Sequence, residues 1–418
     1  MRPPATQALL AAILIAAAAP SSAQEPPDFG AELPALLRWL DENNPELRSI
    51  GSEAEAARAR TVPAGALADP MFQVELRDIS RDDPNVLPAR VGSTKYTISQ
   101  QLPWWGKRDL RRQVAEAEAD AAGSRVRQTR VELRSRVKTA YSQYFFTQQA
   151  ARQTEAILGL LRDVEKIALN RYSTGLVPQQ DVVKAQLEQT ALKGELIKLA
   201  AQGRQSRARL NAVLARPADA ALAAPRSLGS LPDAPFALAD LQQGVLDGNP
   251  QIKVLTAQIA GAQQSRELAR KNWYPDFNVG VSSIQVGNRL DAWELMFELN
   301  IPLQRETRRA QEREAAAVLA AAQDKRQASA NQLEGELGEA VVGFNAAQEQ
   351  ERLLHTTLLP QAELTFHSAL ASYETGKVDF ATLLDAQRQI LRARLDRLNA
   401  QVEQRIRLAD IERILGEE

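Results

Sequence analysis

Apolar and polar positions alternate one by one along four short stretches of the chain. Phe72, Val74 and Leu76 alternate with Gln73, Glu75 and Arg77, and Tyr96, Ile98 and Leu102 alternate with Lys95, Thr97, Ser99 and Gln101. Farther on, Phe277, Val279 and Val281 alternate with Asn278, Gly280 and Ser282, and Trp293, Leu295, Phe297, Leu299 and Ile301 with Glu294, Glu298 and Asn300. Successive side chains of a strand point to opposite faces. The pattern therefore predicts strands near 72–79, 94–102, 277–286 and 292–301, each with one apolar and one polar face. The connecting stretches "SRDDPNVLPARVGS" and "GNRLD" are rich in turn formers, which makes each pair a hairpin. Trp104, Trp105, Trp273, Tyr274 and Trp293 fall at the ends of these strands.

Between and after the strands the period changes. Residues 106–172 contain no proline and residues 305–373 only Pro360, with Ala, Arg, Glu, Gln and Leu dominating both. Val137, Tyr141, Tyr144, Gln148 and Ala151 step by four and three, the spacing of a coiled coil. About 65 residues of helix reach about 100 Å, beyond the diameter of an ordinary domain. A second helix follows each of these past a glycine turn, so long helices are expected over 106–215 and 305–415. The fold class is mostly α with a small β contribution.

The two halves repeat one another. "RYSTGLVPQQDVVKAQ" begins at Arg171 and "SYETGKVDFATLLDAQ" at Ser372, and Tyr172, Gly175 and Gln186 find their counterparts 201 positions on. Asn44-Pro45 and Asn249-Pro250 each open a helix, and Pro70 and Pro275 each precede a strand, both pairs 205 apart. The implied organisation is a first unit over 24–215, a Pro-rich linker over 216–240 and a second unit over 241–418. Gly175 and Gly376 fit positions of positive φ at a helix end.

Composition narrows what such a chain does. Fifty-one basic and 52 acidic residues nearly cancel, which removes the net attraction for nucleic acid. Arg clusters such as "KRDLRRQ" at 107–113 read as solvated helix faces. "MRPPATQALLAAILIAAAAPSSAQ" has the basic start, apolar run and small residues of a signal peptide over 1–23, leaving Gln24 as mature N-terminus. No later stretch reaches 18 apolar residues, so a membrane would be crossed by strands alone. There is no Cys, and His355 and His367 lie about 18 Å apart on one predicted helix, too far to share a metal. No phosphate-cradling Gly loop and no G-x-S-x-G is present. No metal, cofactor or enzymatic activity is expected.

Four amphipathic strands cannot close a barrel, and open edges are not tolerated in lipid, so oligomerisation has to complete the sheet. Two copies would give eight strands with a filled interior, and three would give twelve with room for a lumen. The other class considered is an exported periplasmic coiled-coil scaffold or adaptor protein, which would keep the helices but has no use for two-faced strands with aromatic ends.

The order of elements, the duplication, the "QQLPWWGKRDLRR" passage from strand to helix and the two Y-x-T-G-x-V turns together resemble the TolC-like outer-membrane efflux family. The resemblance covers essentially the whole mature chain, and "LADPMFQVELRD" with the general layout looks closest to members serving heavy-metal efflux. It implies a homotrimer in which a twelve-stranded barrel in the outer membrane continues as an α-barrel through the periplasm. The implied partners are a periplasmic adaptor, an inner-membrane pump of the RND type and outer-membrane lipid, with no nucleic acid. The duct would be passive, carrying metal cations or drugs. By the same resemblance Tyr172, Thr174, Gly175, Tyr373, Thr375 and Gly376 form the periplasmic tip that meets the adaptor. Trp104, Trp105, Trp273, Tyr274 and Trp293 would mark the membrane interface. Asp385 matches an acidic position lining the periplasmic constriction, and Asp181 a hydrogen-bonding partner in the closed tip. Thr382 departs from the pattern where some members carry a second carboxylate, which leaves a single ring. Asp385 also reads as a plain helix-surface residue with Arg388 as its ionic neighbour.

Overall fold

Two asparagines set up two equivalent helix junctions. Asn44 accepts hydrogen bonds from the N–H groups of Glu46 (2.8 Å) and Leu47, and Asn249 from those of Gln251 (2.8 Å) and Ile252, so each caps a helix that opens with proline. Their amide groups donate in turn to the carbonyls of Val213 (3.1 Å) and Ile414 (2.8 Å) at the ends of other helices. Each buried asparagine thus splices two helices end to end, satisfying donors and acceptors that the helix ends would leave orphaned. These features belong to a computed structural model that describes residues 28–417 apart from 83 and 85. The expected signal peptide, 1–23, lies outside the described residues.

In chain order the first half holds α1 (Leu33–Asn43), α2 (Pro45–Gly65), β1 (Met71–Arg77), β2 (Ser93–Leu102), α3 (Lys107–Ser173) and α4 (Gln179–Val213). The second holds α5 (Leu238–Gly248), α6 (Pro250–Lys271), β3 (Phe277–Val286), β4 (Arg289–Leu299), α7 (Arg305–Leu353), α8 (Leu359–Glu374) and α9 (Phe380–Leu415). The second long helix is not continuous as expected: a π-helical turn, Leu354–Leu358, separates α7 from α8. Proline removes a helical hydrogen bond and crowds the carbonyl four residues back, and the wider turn directly before Pro360 relieves that conflict. α5 begins at Leu238, inside the stretch read as linker.

The helices form one layer. α2 and α4 flank α3 on one side, α6 and α9 flank it on the other, and α7 with α8 lies beyond α6 and α9. On one surface of this layer α1 packs Leu36 and Leu40 against Leu133, Val137 and Tyr141 of α3, and Phe236 and Leu238 pack against Leu337 and Phe344 of α7. The Tyr141 hydroxyl reaches the carbonyls of Ala31 (2.8 Å) and Ser227 (2.9 Å), tying both peripheral segments to α3, and burial pushes its phenol up to about 12. No helix among the described residues is long and apolar enough to cross a membrane.

The sheet is antiparallel in the order β1-β2-β3-β4. β4 starts at Arg289, three residues earlier than expected, because the hairpin loop is only Gly287-Asn288, with Val286 pairing Arg289. Gly287 has φ +58°, the positive value that such a two-residue loop favours at its first position.

Candidate functional site: the tip, the neck and the strand faces

Both long hairpins turn in the same way. Gly175 (φ +73°) donates to the Tyr172 carbonyl and Leu176 to that of Arg171, both at 2.9 Å. Gly376 (φ +75°) donates to Tyr373 at 3.0 Å and Lys377 to Ser372 at 2.8 Å. This pair of bonds is the Schellman closure of a helix end, which a Cβ at the left-handed residue would strain. The hydroxyls of Thr174 and Thr375 donate to carbonyls in the preceding turn, so the repeated Thr-Gly is a helix stop.

The repeated tyrosines part company. Tyr172 is exposed, whereas Tyr373 is 1% exposed, packed edge-on against Phe380 in the tip core. Its hydroxyl donates to Asp181 Oδ2 (3.2 Å), and the Arg171 guanidinium lies 4.8 Å from its ring centroid. Burial pushes the Tyr373 phenol up to about 12, with the charge of Asp181 adding to the shift, so the hydroxyl remains a donor. The trio joins α3, α4 and α8, and so both halves. Arg171 escaped the sequence reading, although it stands one residue before the repeated tyrosine, because nothing in the motif says which helix it will face. The repeat counterpart of Asp181 is Thr382, whose hydroxyl and N–H both donate to the capping Asp379.

Asp385 is exposed and accepts from Gln389 (2.8 Å). Arg388, expected to pair with Asp385, instead makes a two-bond ion pair with Glu188 of α4, Nε to Oε1 at 3.0 Å. That leaves the Asp385 carboxylate without a cationic hydrogen-bond partner on its own helix turn.

At the other end of the long helices, Lys107 is buried and donates to Asp276 Oδ1 (2.8 Å) and the Tyr274 carbonyl (2.9 Å). The same Asp276 oxygen accepts from the Trp104 N–H (2.8 Å). This neck joins the β2–α3 passage to the α6–β3 passage. Around it Trp104 stacks on Tyr274 (5.1 Å between centroids) and Phe277, with Trp105 edge-on to Trp104. Trp273 turns aside, its indole donating to Glu312 of α7 (2.8 Å), and Trp293 stands within β4, opposite Ser283, rather than at the strand's end.

The two faces of the sheet differ in kind. On one, Lys95 pairs with Glu294, the Thr97 and Ser282 hydroxyls share a hydrogen bond (2.9 Å), and Asn278 donates to Glu298 (3.1 Å). On the other, Phe72, Ile98, Val281, Leu295 and Phe297 are exposed, Leu295 to 87%. A sheet folded for water covers its apolar face and wets its polar one; here the polar face is internally bonded and the apolar face bare. β1 and β4 are unpaired along their outer edges. The helical layer has matching margins, with exposed Val183, Leu187 and Ile197 on α4, and Val342, Leu353 and Leu364 on α7 and α8.

Comparisons with known proteins agree with this architecture. The cobalt-zinc-cadmium resistance protein CzcC of Cupriavidus metallidurans is 24% identical over 388 residues, covering 92% of this chain and 90% of its own. The outer-membrane channel OprN superposes with a TM-score of 0.79 at 20% identity, over 92% of this chain and 90% of its own. CusC, crystallised in a study of transmembrane channel formation, gives 0.79 at 16% identity over 92% of both chains. VceC of Vibrio cholerae gives 0.77 at 18% identity over 92% of this chain and 96% of its own. A family model described as outer membrane efflux protein matches residues 36–216 and again 241–417. The chain therefore belongs to the outer membrane efflux protein family: it is an efflux channel of the outer membrane and not an enzyme.

Proposed function

We propose that three copies of this chain, each built from two copies of one unit, close into a passive duct. Their twelve strands would form one barrel in the outer membrane, and their helices would continue it through the periplasm to an adaptor and an inner-membrane pump of the RND type. The observation that carries this reading is the sheet, bare on its apolar face and open at β1 and β4. β4 of one copy runs antiparallel to β1, so a head-to-tail ring satisfies both edges and turns every apolar face to lipid. The margins of the helical layer support the same closure. Ile197 (72% exposed) and Leu364 (72%) stand on opposite margins, where one copy would cover the other's apolar positions.

The six tip residues, Tyr172, Thr174, Gly175, Tyr373, Thr375 and Gly376, form the far end of the duct and its adaptor-facing rim. The Tyr373–Asp181 bond holds the two hairpins of one copy together, and three copies of Asp385 ring the bore. Metal cations are the favoured cargo, the class named for CzcC, and drugs are the alternative.

Single-channel recording of the purified protein in planar bilayers tests both duct and ring. Three carboxylates close together attract cations and raise one another's pKa. The wild type is expected to conduct in discrete steps with cation preference, and Asp385→Asn to lower that preference and the block by multivalent cations from the tip side. An unchanged preference in a conducting variant would put Asp385 outside the bore, and a wild type that never conducts would remove the duct.

A further inference from the structure

Positive charge gathers where the helices meet the sheet. The stretches 104–113, 263–276 and 303–313 hold eleven basic and five acidic residues, in a chain whose net charge is −1. At the opposite end of the sheet, the described residues of 77–92 and 286–291 hold four basic and three acidic residues. The excess is confined to one end, directly below Trp104, Trp105 and Tyr274.

Four of these arginines are organised. Arg266 and Arg270 of α6 and Arg309 and Arg313 of α7 line a groove of about 540 Å³ with Glu306, Glu312 and Ala316. Glu312 is engaged by the Trp273 indole, Glu306 by Arg309 (3.0 Å), and Glu267 beside the groove by Arg270 (2.9 Å). Arg266 and Arg313 have no hydrogen-bond or ion-pair partner among the described residues. Two spare guanidiniums, with two more able to donate on their free edges, match the oxygens of a phosphate.

The groove opens on the side of the helical layer that carries α1. Val318 of α7 lines a different groove with Val114, Glu118 and Arg125 of α3, and that surface continues down α3 through Glu132, Arg136 and Thr139. It is the surface turned away from Leu133, Val137 and Tyr141, which α1 covers. Arg309, Arg313 and Ala316 stand roughly half a turn round α7 from Val318, so the arginine groove shares the side that carries α1. The end of α6 agrees: the Lys271 ammonium lies 5.7 Å from the ring centroid of Tyr274, which stacks with Trp104 beside the apolar face.

We propose that this groove binds the headgroup phosphate of an anionic phospholipid in the leaflet on the helical side, making a basic collar under the aromatic cluster. Aromatic rings at the interface followed within one or two helical turns by cations is the order in which a leaflet presents its acyl boundary and its phosphates. The collar fixes the height of the barrel in the membrane. The proposal rests on the barrel reading above.

The test uses purified full-length protein, reconstituted in nanodiscs of phosphatidylcholine alone or with phosphatidylglycerol, and counts lipids retained by native mass spectrometry. Wild type is expected to retain phosphatidylglycerol over phosphatidylcholine. Arg266→Gln with Arg313→Gln should lower that preference about 30-fold, since each cation beside an anionic leaflet contributes about 1 kcal/mol. Arg60→Gln with Arg125→Gln, on the other side of the layer, should leave it intact. Equal retention of the two lipids by wild type, or a preference that survives in the Arg266/Arg313 variant, would overturn the collar. Displacement of the lipid by millimolar inorganic phosphate would do the same, assigning the groove to free anion. Failure of wild type to enter either nanodisc would remove the barrel itself, and the collar with it.

Discussion

Leu295→Arg or Val281→Arg is expected to strip assembled protein from the outer membrane, while Gln73→Arg leaves it near the wild-type amount. Val281 and Leu295 pair across β3 and β4 at the middle of the sheet, both exposed on the apolar face. Gln73 lies one register row away on the polar face, in line with Thr97 and Ser282. An arginine facing lipid at mid-height costs about 2–4 kcal/mol, incurred by every copy in the ring. On the bonded, polar side it meets water and loses little. Quantifying heat-modifiable trimer in outer-membrane fractions checks this, and equal tolerance at Leu295 and Gln73 would mean that the apolar face does not meet lipid.

Asp276→Ala is expected to have an effect of similar size, at the neck. It strips Lys107, 3% exposed, of its counter-ion and leaves the Trp104 N–H without its acceptor. Removing one partner of a buried pair leaves an uncompensated charge, at about 3–5 kcal/mol, and the partial exposure of Asp276 places this case near the lower figure. The temperature at which the trimer dissociates on a mildly denaturing gel should fall clearly. Lys107→Met combined with Asp276→Asn should recover most of it, because the charge is gone and the substituted amide would still accept from the Trp104 N–H. A double variant as weak as Asp276→Ala would show that the neck depends on something other than this ion pair.

What could be read from sequence was local. Period-two alternation located all four strands because each has one polar face, and Asn-Pro located both α2 and α6 because the cap and the first turn are neighbours in the chain. The Thr-Gly stops were legible for the same reason. Properties that depend on which helix lies alongside were not. The two repeat tyrosines share one motif, yet only Tyr373 is buried, because α4 and its Asp181 lie against it. Arg388 has an acidic residue three positions before it and bonds instead to Glu188, 200 positions away. The basic stretch at 107–113 read as solvated surface, and Arg111 and Arg112 are exposed accordingly, whereas Lys107 is buried because the α6–β3 passage lies against it and supplies Asp276. The early start of β4 followed from a turn of two residues, Gly287 and Asn288, within the five-residue stretch 287–291 that read as loop.

The absence of cysteine makes the account's central claim directly measurable, since any disulfide must come from introduced residues. Glu75→Cys on β1, combined in turn with cysteine at Ala292, Glu294 or Met296 on β4, places thiols along the two open edges of the sheet. Within one copy these edges are separated by β2 and β3, so a disulfide between them has to join two copies. Under oxidation in outer-membrane preparations, at least one combination is expected to give a ladder of covalent dimer and trimer on a denaturing gel, ending at three. A ladder running past three, or only monomer in every register with the protein recovered from the soluble periplasm, would contradict the closed trimeric barrel.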